Sequence, residues 1–427
     1  MNIKCYTLGC KVNQYETEAV IEQFKSNGFT CTSELNPDVI LINSCSVTAE
    51  SDRKTRQLVR RERRLNPNAV IVLTGCMVEA FPEKAFELNE ADLIIGNTET
   101  DKIYEKVISF LNNKNRVLSV IPHKAGEKYN TPSLSDFSER TRAYMKIEDG
   151  CNRFCTYCII PYARGRVRSR SIDDIKSEAK RLALAGFKEI VLVGINLSAY
   201  GSDCSLNICD AVDAVCSVDG VMRVRLGSVE PDHITDKMLL RLKNQDKFCP
   251  QFHLSLQSGC DETLKRMNRH YDSAFYSDLV ARIRRVFDNP SITTDIMVGF
   301  AGESDEEFKN SADFVKKIGF ARSHVFVYSV RSGTAAEKFA DQVPPETKEK
   351  RAAVMADVTD KCEKDFLKTQ VGRVCEVLFE TGENGFAAGY TKNYSRVLVK
   401  SENSHTGEIL KVKITECKDN YCIGEFI

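Results

Sequence analysis

The sequence predicts an α/β protein in three successive parts. These are an N-terminal doubly wound parallel-sheet domain, a partial (β/α)6 barrel and a small C-terminal antiparallel β-barrel. Three observations carry this reading. Short apolar, β-branched runs alternate with helical patterns over residues 1–120 and again over 140–360, and βα alternation implies parallel sheets covered by helices. Residues 122–139, PHKAGEKYNTPSLSDFSE, interrupt the alternation with Pro, Ser and charge, as a linker does. Beyond about residue 370, short runs alternate apolar and polar residues between Gly-rich turns. The boundaries are therefore 1–121, a linker 122–139, 140–360 and 365–427.

In the first part, strands are expected at Ile3–Leu8, Val39–Asn43, Val70–Thr74 and Leu93–Ile95. Helices begin near Gln14, Thr48, Phe81 and Thr100. Cys10 in TLGC, Cys45 in INSC and Cys76 in LTGC each fall just after one of the first three strands. In an open parallel sheet the C-terminal strand ends share one edge, where ligands bind. The three cysteines are expected to converge there, the alternative being three unrelated buried thiols. Residues 53–64, RKTRQLVRRERR, hold one acid among many bases. Such a run is either a polyanion contact or a solvated helix face.

In the second part, six strands are expected at Ala143–Glu148, Glu189–Val193, Met222–Gly227, Phe252–Gln257, Ile292–Val298 and Val325–Ser329. Helices follow at 172–185, 206–217, 235–243, 261–285 (broken) and 304–318. Barrel active sites lie at the C-terminal strand ends. Asn196, Ser228, Glu230, Gln257, Asp295 and Arg331 belong to that edge, and so does the loop after the first strand. That loop carries Cys151, Cys155 and Cys158 in GCNRFCTYC, a C-x3-C-x2-C spacing with no fourth ligand nearby. Three thiolates on one loop suit a [4Fe-4S] cube whose fourth iron stays open for a ligand. Just beyond, Arg164, Arg166, Arg168 and Arg170 alternate. On an extended segment they would share one side and neutralise phosphates. A helix over 345–369 leads to strands at Val374–Glu380, Arg396–Lys400, Lys411–Glu416 and Tyr421–Phe426.

Seventeen cysteines without an export leader argue for a reducing compartment and thiolate ligands rather than disulfides. No apolar run reaches about 18 residues, so no membrane span is expected, and the expected location is the cytoplasm. Formal net charge is zero. The eleven cysteines outside the two sets, such as Cys204, Cys209 and Cys216, are read as core packing. His233 and His253 are read as satisfied polar residues rather than ligands.

DGCNRFCTYCIIPYARG at 149–165, with the three-cysteine domain before it and the β domain after it, resembles the radical S-adenosylmethionine (SAM) methylthiotransferases. The likeness covers essentially the whole chain. Within that family, TLGCKVNQYETEA at 7–19 and NSCSVTAESDRKTRQ at 43–57 are most similar to the branch acting on N6-threonylcarbamoyladenosine of transfer RNA. Other branches act on N6-isopentenyladenosine of tRNA or on an aspartate of a ribosomal protein. After Gly9-Cys10 this chain reads Lys-Val-Asn, where the branches differ. Two loops depart from the family pattern: Val330-Arg331-Ser332-Gly333-Thr334 and Gly299-Phe300-Ala301-Gly302-Glu303 lack its prolines, which changes loop stiffness.

The resemblance implies one [4Fe-4S] cluster on Cys151, Cys155 and Cys158, with SAM on its open iron, and a second on Cys10, Cys45 and Cys76. It implies that one SAM methylates a sulfur held at the second cluster, while another yields the radical that activates carbon 2 of the adenine. Tyr157 would lie against the SAM adenine, and Gly194 and Asn196 at its methionine end. Ser228 and Gln257 are candidates for ribose or carboxylate contacts from strand-end position alone, with an ordinary hydrogen-bonding role as the alternative. The C-terminal part resembles a TRAM domain, which would grip the tRNA anticodon stem-loop through Lys392, Asn393, Tyr394 and Arg396. Tyr394 either stacks on a base or belongs to the barrel core. Arg331 is nominated for the threonylcarbamoyl carboxylate, since a bidentate arginine suits that group. The expected partners are tRNA, SAM, an electron donor and a sulfur source, acting on a monomer. A reading of a different class, a non-catalytic RNA-binding protein with structural zinc, conflicts with three cysteines per set, because zinc takes four ligands.

Overall fold

The computed structural model describes residues 1–33, 36–124, 126–134 and 141–427. The first part is a six-stranded, all-parallel sheet in the order β2-β1-β3-β4-β5-β6. Its strands are β1 (Asn2–Thr7), β2 (Thr30–Cys31), β3 (Val39–Ser44), β4 (Val70–Gly75), β5 (Leu93–Ile95) and β6 (Val117–Ser119). The short edge strands β2 and β6 were not expected, because two or three residues carry no readable periodicity. The helices are α1 (Lys11–Ser26), α2 (Ala49–Leu65), α3 (Cys76–Ala80), α4 (Pro82–Phe86) and α5 (Ile103–Asn113). Alternate strand residues face opposite layers. Ile3, Leu41, Val72 and Leu93 pack with α1 and α5, while Ile42, Ile71, Leu73 and Ile94 pack with α2, α3 and α4. The chain reverses its winding between β1 and β3, which makes that edge the topological switch point.

The second part contains β7 (Arg142–Lys146), a short antiparallel ladder of β8 (Glu148–Asp149) with β9 (Arg168–Ser169), β10 (Glu189–Val193), β11 (Arg223–Leu226), β12 (Ser228–Val229), β13 (Gln251–Leu254), β14 (Ser291–Val298) and β15 (Arg322–Val327). Two parallel sheets, β11-β10-β7 and β12-β13-β14-β15, form one curved wall. β11 and β12 are consecutive, and the wall changes sheet at Gly227 between them. Helices α6 (Ile160–Arg164), α7 (Ile172–Leu184), α8 (Ile208–Cys216), α9 (Asp236–Lys243), α10 (Asp261–Arg266), α11 (Ser273–Val286) and α12 (Asp305–Ile318) follow in turn. The expected break within 261–285 separates α10 from α11.

One face of the wall carries the main core. Ala143, Met145, Ile190, Leu192, Val224, Phe252 and Ile296 pack against the helices. The other face lines a lumen. α1 lies along the open edge beside β7, with Tyr15 and Ala19 joining the main core and Val12 packing on Val191 and Val193. Part of the expected linker is anchored here, since Leu134 is fully buried and Tyr129 donates to the Lys146 carbonyl at 2.7 Å. Residues 125 and 135–139 of that linker lie outside the described residues.

Helix α13 (Pro345–Lys368) leads to a closed barrel, β16-β17-β18-β20-β19. Its strands are β16 (Val374–Glu383), β17 (Phe386–Thr391), β18 (Arg396–Lys400), β19 (Ile409–Cys417) and β20 (Cys422–Phe426). β17 was read as turn because of its glycine. Gly389 is needed there: a Cβ would meet the Leu378 carbonyl oxygen at 2.3 Å. This barrel docks on the N-terminal strand ends of the larger one, opposite the cysteine loops. Arg223 donates to the carbonyls of Tyr390 (3.1 Å) and Glu376 (3.0 Å), and Arg225 to that of Lys392 (2.9 Å). Among the described residues no helix is long and apolar enough to cross a membrane.

Candidate active site

β1, β3 and β4 are neighbours, so the loops after them bring Cys10, Cys45 and Cys76 to one place. Gly9 has a φ of +104°, and a Cβ there would sit 2.9 Å from the Cys45 sulfur, so only glycine lets these loops close. Asn13, on the first turn of α1, holds the cluster of loops together. Its amide donates to the carbonyls of Leu8 and Ser44, both at 2.9 Å, and its Oδ1 accepts from Arg164 at 2.9 Å. The same oxygen faces the sulfurs of Cys10 (3.8 Å) and Cys76 (4.0 Å).

Cys151, Cys155 and Cys158 occupy the loop beyond β8. Phe154 takes a left-handed φ of +52°, which folds the loop back between the first two sulfurs. Arg269 donates to the Cys155 sulfur at 3.3 Å and also pairs with Glu230. Arg153 pairs with Asp232 at 2.7 Å. Sequence reading missed Arg269; its only signal was the helix break in which it sits.

The two cysteine regions are linked by α6 and by the loop after β15. α6, about 7.5 Å long at 1.5 Å per residue, starts just after Cys158 and ends at Arg164. Arg164 Nε then donates to the Cys76 sulfur at 3.2 Å. The loop after β15 touches both sides: the Ala336 amide donates to the Thr156 carbonyl at 2.8 Å, and Arg331 donates to Ser46 Oγ at 2.8 Å. Burial pushes the thiols of Cys151 and Cys76 up to about 12, and raises those of Cys45 and Cys158 as well. Metal binding would therefore have to displace their protons.

Both sets fit a cluster held by three thiolates. Each offers three cysteine sulfurs and one cationic N–H donor, Arg164 or Arg269, suited to the negative charge such a cluster brings. Among the described residues no three His, Cys, Asp or Glu side chains converge on a single metal ion. A cubane presents its irons at separate corners, so its ligands need not meet at one point.

The candidate SAM residues line the same edge. Gly194 lies against Glu148, whose Oε2 would be 2.6 Å from a Cβ, and that oxygen accepts the Asn196 amide at 2.8 Å. Tyr157 packs edge-on to Phe300 at 6.3 Å between ring centres, and its hydroxyl accepts from Arg269 at 3.5 Å. Ser228 is exposed at the break in the wall. Gln257 holds a left-handed φ of +67°, fixed by bonds to the Asp295 carbonyl (2.9 Å) and the Met297 amide (2.7 Å). A strained residue held this firmly is common at functional sites. His233 Nδ1 lies 2.9 Å from the Ser198 carbonyl, and His253 Nδ1 lies 3.0 Å from Thr293 Oγ1.

Three expectations are corrected. The arginine row is not a phosphate contact. Arg164 is helical and fully buried against Glu16, Arg168 is buried 3.4 Å from Asp149, and Arg170 is buried 2.6 Å from Glu178; Arg166 alone is exposed, over the Phe154 ring. Their carboxylate partners lie far away in sequence or beyond the segment, so alternation misled. Second, Arg331 is buried and paired with Asp52 at 2.8 Å, over the Phe81 ring, so its charge is already matched. Third, the turn after β17 forms the joint between the two barrels. Tyr394 stacks on Tyr390 at 4.6 Å, with the guanidinium groups of Arg142 and Arg225 within 5 Å of its ring centre, Lys392 reaches the Asp246 carbonyl at 3.0 Å and Asn393 the Asn289 carbonyl at 3.1 Å. Arg396 is half-buried in the crevice beside them, with Arg322 and Glu363.

Comparison with known proteins agrees with this layout. Residues 145–315 match the radical SAM superfamily, residues 2–96 match the uncharacterized protein family UPF0004, and residues 368–427 match the TRAM domain. The chain is 36% identical to the threonylcarbamoyladenosine tRNA methylthiotransferase MtaB of Bacillus subtilis, over 99% of this chain and 95% of that protein. It is also 36% identical to the MtaB of Thermotoga maritima, over 99% and 96%. A tRNA-2-methylthio-N(6)-dimethylallyladenosine synthase of Clostridium botulinum is 34% identical, over 99% and 96%. Among solved structures, the radical SAM methyltransferase TsrM from Kitasatospora setae shares the fold, with a TM-score of 0.57 and 11% identity over 91% of this chain and 77% of that one.

Proposed function

Because the chain belongs to the radical SAM tRNA methylthiotransferases, we propose that it installs a methylthio group at carbon 2 of N6-threonylcarbamoyladenosine beside the tRNA anticodon. The observation that carries this reading is the pair of three-cysteine sets linked by Arg164 and by the loop after β15. Cys151, Cys155 and Cys158 would hold the cluster that binds one SAM. Cys10, Cys45 and Cys76 would hold a second cluster. When bound, these groups supply the radical that removes hydrogen from carbon 2 and the methylated sulfur that replaces it.

The protein's part is placement. Carbon 2 bears an unactivated C–H bond, and general acid–base catalysis contributes only about 10²–10⁴-fold, so a radical route is physically sensible. Asn196, Gly194 and Glu148 would fix one end of SAM, and Tyr157 would cover its adenine. Arg164 and Asn13 keep the second set at a constant offset from the first. Anticodon-loop bases can be splayed out and read, which lets the adenine reach the cysteine loops while the stem stays outside.

The branch assignment rests on Lys11-Val12-Asn13 after Cys10 and on the names of the 36% relatives. A second reading, action on N6-isopentenyladenosine, is favoured by the 34% identity to the dimethylallyladenosine synthase. Nucleoside mass spectrometry of tRNA from a strain lacking this gene and any paralogue separates the two. Loss of 2-methylthio-N6-threonylcarbamoyladenosine supports the proposal. Its persistence, with loss of the isopentenyl product instead, moves the protein to the other branch. Anaerobically purified protein should carry about eight irons per chain if both cubes are present.

A further inference from the structure

Arg331 leaves the substrate's carboxylate without a partner, and the lumen supplies a different one. Lys11 directly follows Cys10 and begins α1. Its ammonium lies over the Tyr144 ring at 5.8 Å, on the lumen face of β7. The groups that influence it electrostatically come from five strands: Arg142 on β7, Glu189 on β10, Arg225 on β11, Asp295 on β14 and His324 on β15. It is thus solvent-accessible while enclosed by the lumen wall.

The arginines on this wall are already matched. Arg225 pairs with Glu189 at 2.8 Å, Arg142 with Glu380 at 2.5 Å and Arg223 with Glu189 at 3.7 Å. Among the described residues Lys11 makes no ion pair and donates no hydrogen bond; its ammonium lies over the Tyr144 ring. An accessible ammonium with no ion-pair or hydrogen-bond partner, in a lumen lined by charged groups and one residue from a cysteine of the second set, is a candidate binding site for a carboxylate.

We propose that Lys11 binds the carboxylate of the substrate's N6 side group and thereby selects a threonylcarbamoyl adenosine over one with an apolar N6 chain. This rests on the substrate reading above. With carbon 2 of the base toward the cysteines, an acidic N6 chain reaches a cation deeper in the lumen, whereas an isopentenyl chain gains nothing from it.

The test measures binding of the full-length protein to three anticodon stem-loops differing only at the modified adenosine: the threonylcarbamoyl acid, its methyl ester and the isopentenyl form. Wild type is expected to prefer acid to ester by about tenfold or more, the range of a charge-assisted hydrogen bond. Lys11→Gln should erase that preference and leave ester binding within about twofold, and Lys11→Arg should keep it. If Lys11→Gln retains the acid preference, or loses acid and ester binding equally, the assignment to Lys11 is wrong while the substrate reading stands. If wild type itself binds the isopentenyl loop best, the substrate reading fails first. Iron content equal to wild type in both variants shows that the neighbouring Cys10 is undisturbed.

Discussion

Arg164 shows how one side chain ties two loops together. Its guanidinium is fully buried, paired with Glu16, bonded to Asn13 and Cys76, and 3.6 Å from Asp149. Removing it would leave Glu16 and Asp149 with Lys146 as their main remaining cation, at 2.7 Å from each. Truncating one partner of a buried pair costs about 3–5 kcal/mol, so Arg164→Ala should lower the melting temperature markedly. Arg164→Lys keeps the charge but loses the planar fork. It should fold, yet shift the midpoint potential of the cluster proposed on Cys10, Cys45 and Cys76, because hydrogen bonds to sulfur tune such potentials. A redox titration followed by electron paramagnetic resonance checks this, and an unshifted potential would reduce Arg164 to a structural prop. Gly194 gives a second case. An alanine Cβ would meet the Glu148 carboxylate at 2.6 Å and displace the anchor of Asn196. Overpacking of this kind costs about 1–3 kcal/mol, so Gly194→Ala should weaken SAM binding, measured by equilibrium dialysis, more than it lowers thermal stability.

At the scale of elements, α2 carries a run of exposed basic residues, of which Arg53 pairs with Glu50 and Arg60 with Glu90 at 3.4 Å. Its start is set by Thr48, whose hydroxyl accepts the Ser51 amide at 3.1 Å. Thr55 and Val59 face the sheet, while Arg53, Arg60 and Arg64 recur on the exposed side. The helix begins four residues after Cys45 with an acidic first turn, Glu50 and Asp52, and its basic residues follow along the rest of its length. Arg60→Ala and Arg64→Ala should each weaken tRNA binding evenly across sequences and reduce the slope of log affinity against log salt by about 1; filter binding at several salt concentrations reads both. This also marks what the sequence made legible. Strand ends followed by cysteines, the α10–α11 break and the long helix α13 were all readable, because each rests on local periodicity or spacing. The arginine row after Cys158 was not. Its i, i+2 alternation suggested an extended strip, but Ile160–Arg164 is helical, and the partners Glu16, Asp149 and Glu178 are brought in by tertiary packing. The turn Lys392–Arg396 likewise looked like a free basic–aromatic patch, because nothing local shows that Tyr390, Arg142 and Arg225 already pack against the Tyr394 ring.

Across the whole molecule, the two ends of the large barrel serve different tasks. The C-terminal strand ends carry the cysteines and the candidate SAM residues, and the N-terminal ends carry the joint to the small barrel. Glu189 is the anion of that joint, fully enclosed and facing Arg225, Arg142 and Arg223. Burial alone would raise its carboxyl pKa, but the three guanidinium groups outweigh burial and hold it below the ordinary value. A depressed folded value means the paired carboxylate stabilises the joint at all pH above the unfolded value of about 4.3. That contribution is lost as pH falls through the lower, folded value. Glu189→Gln removes the charge at every pH and takes away the carboxylate facing Arg225 and Arg223, while Arg142 keeps Glu380. The wild-type advantage in melting temperature over Glu189→Gln should therefore be large and nearly constant from pH 7 to pH 5, since breaking a buried pair costs about 3–5 kcal/mol. Below about pH 4 it should shrink, because wild type then protonates toward the variant's charge state. Limited proteolysis after α13 should follow the same course, with the small barrel released earlier in the variant at pH 7 and the two proteins converging in acid. An advantage that instead grew on acidification would mean that the arginines, not Glu189, limit the joint. Since Arg142 and Arg225 also border the lumen near Lys11, a loosened joint should weaken the acid-over-ester preference as well, linking the docking of the small barrel to recognition in the large one.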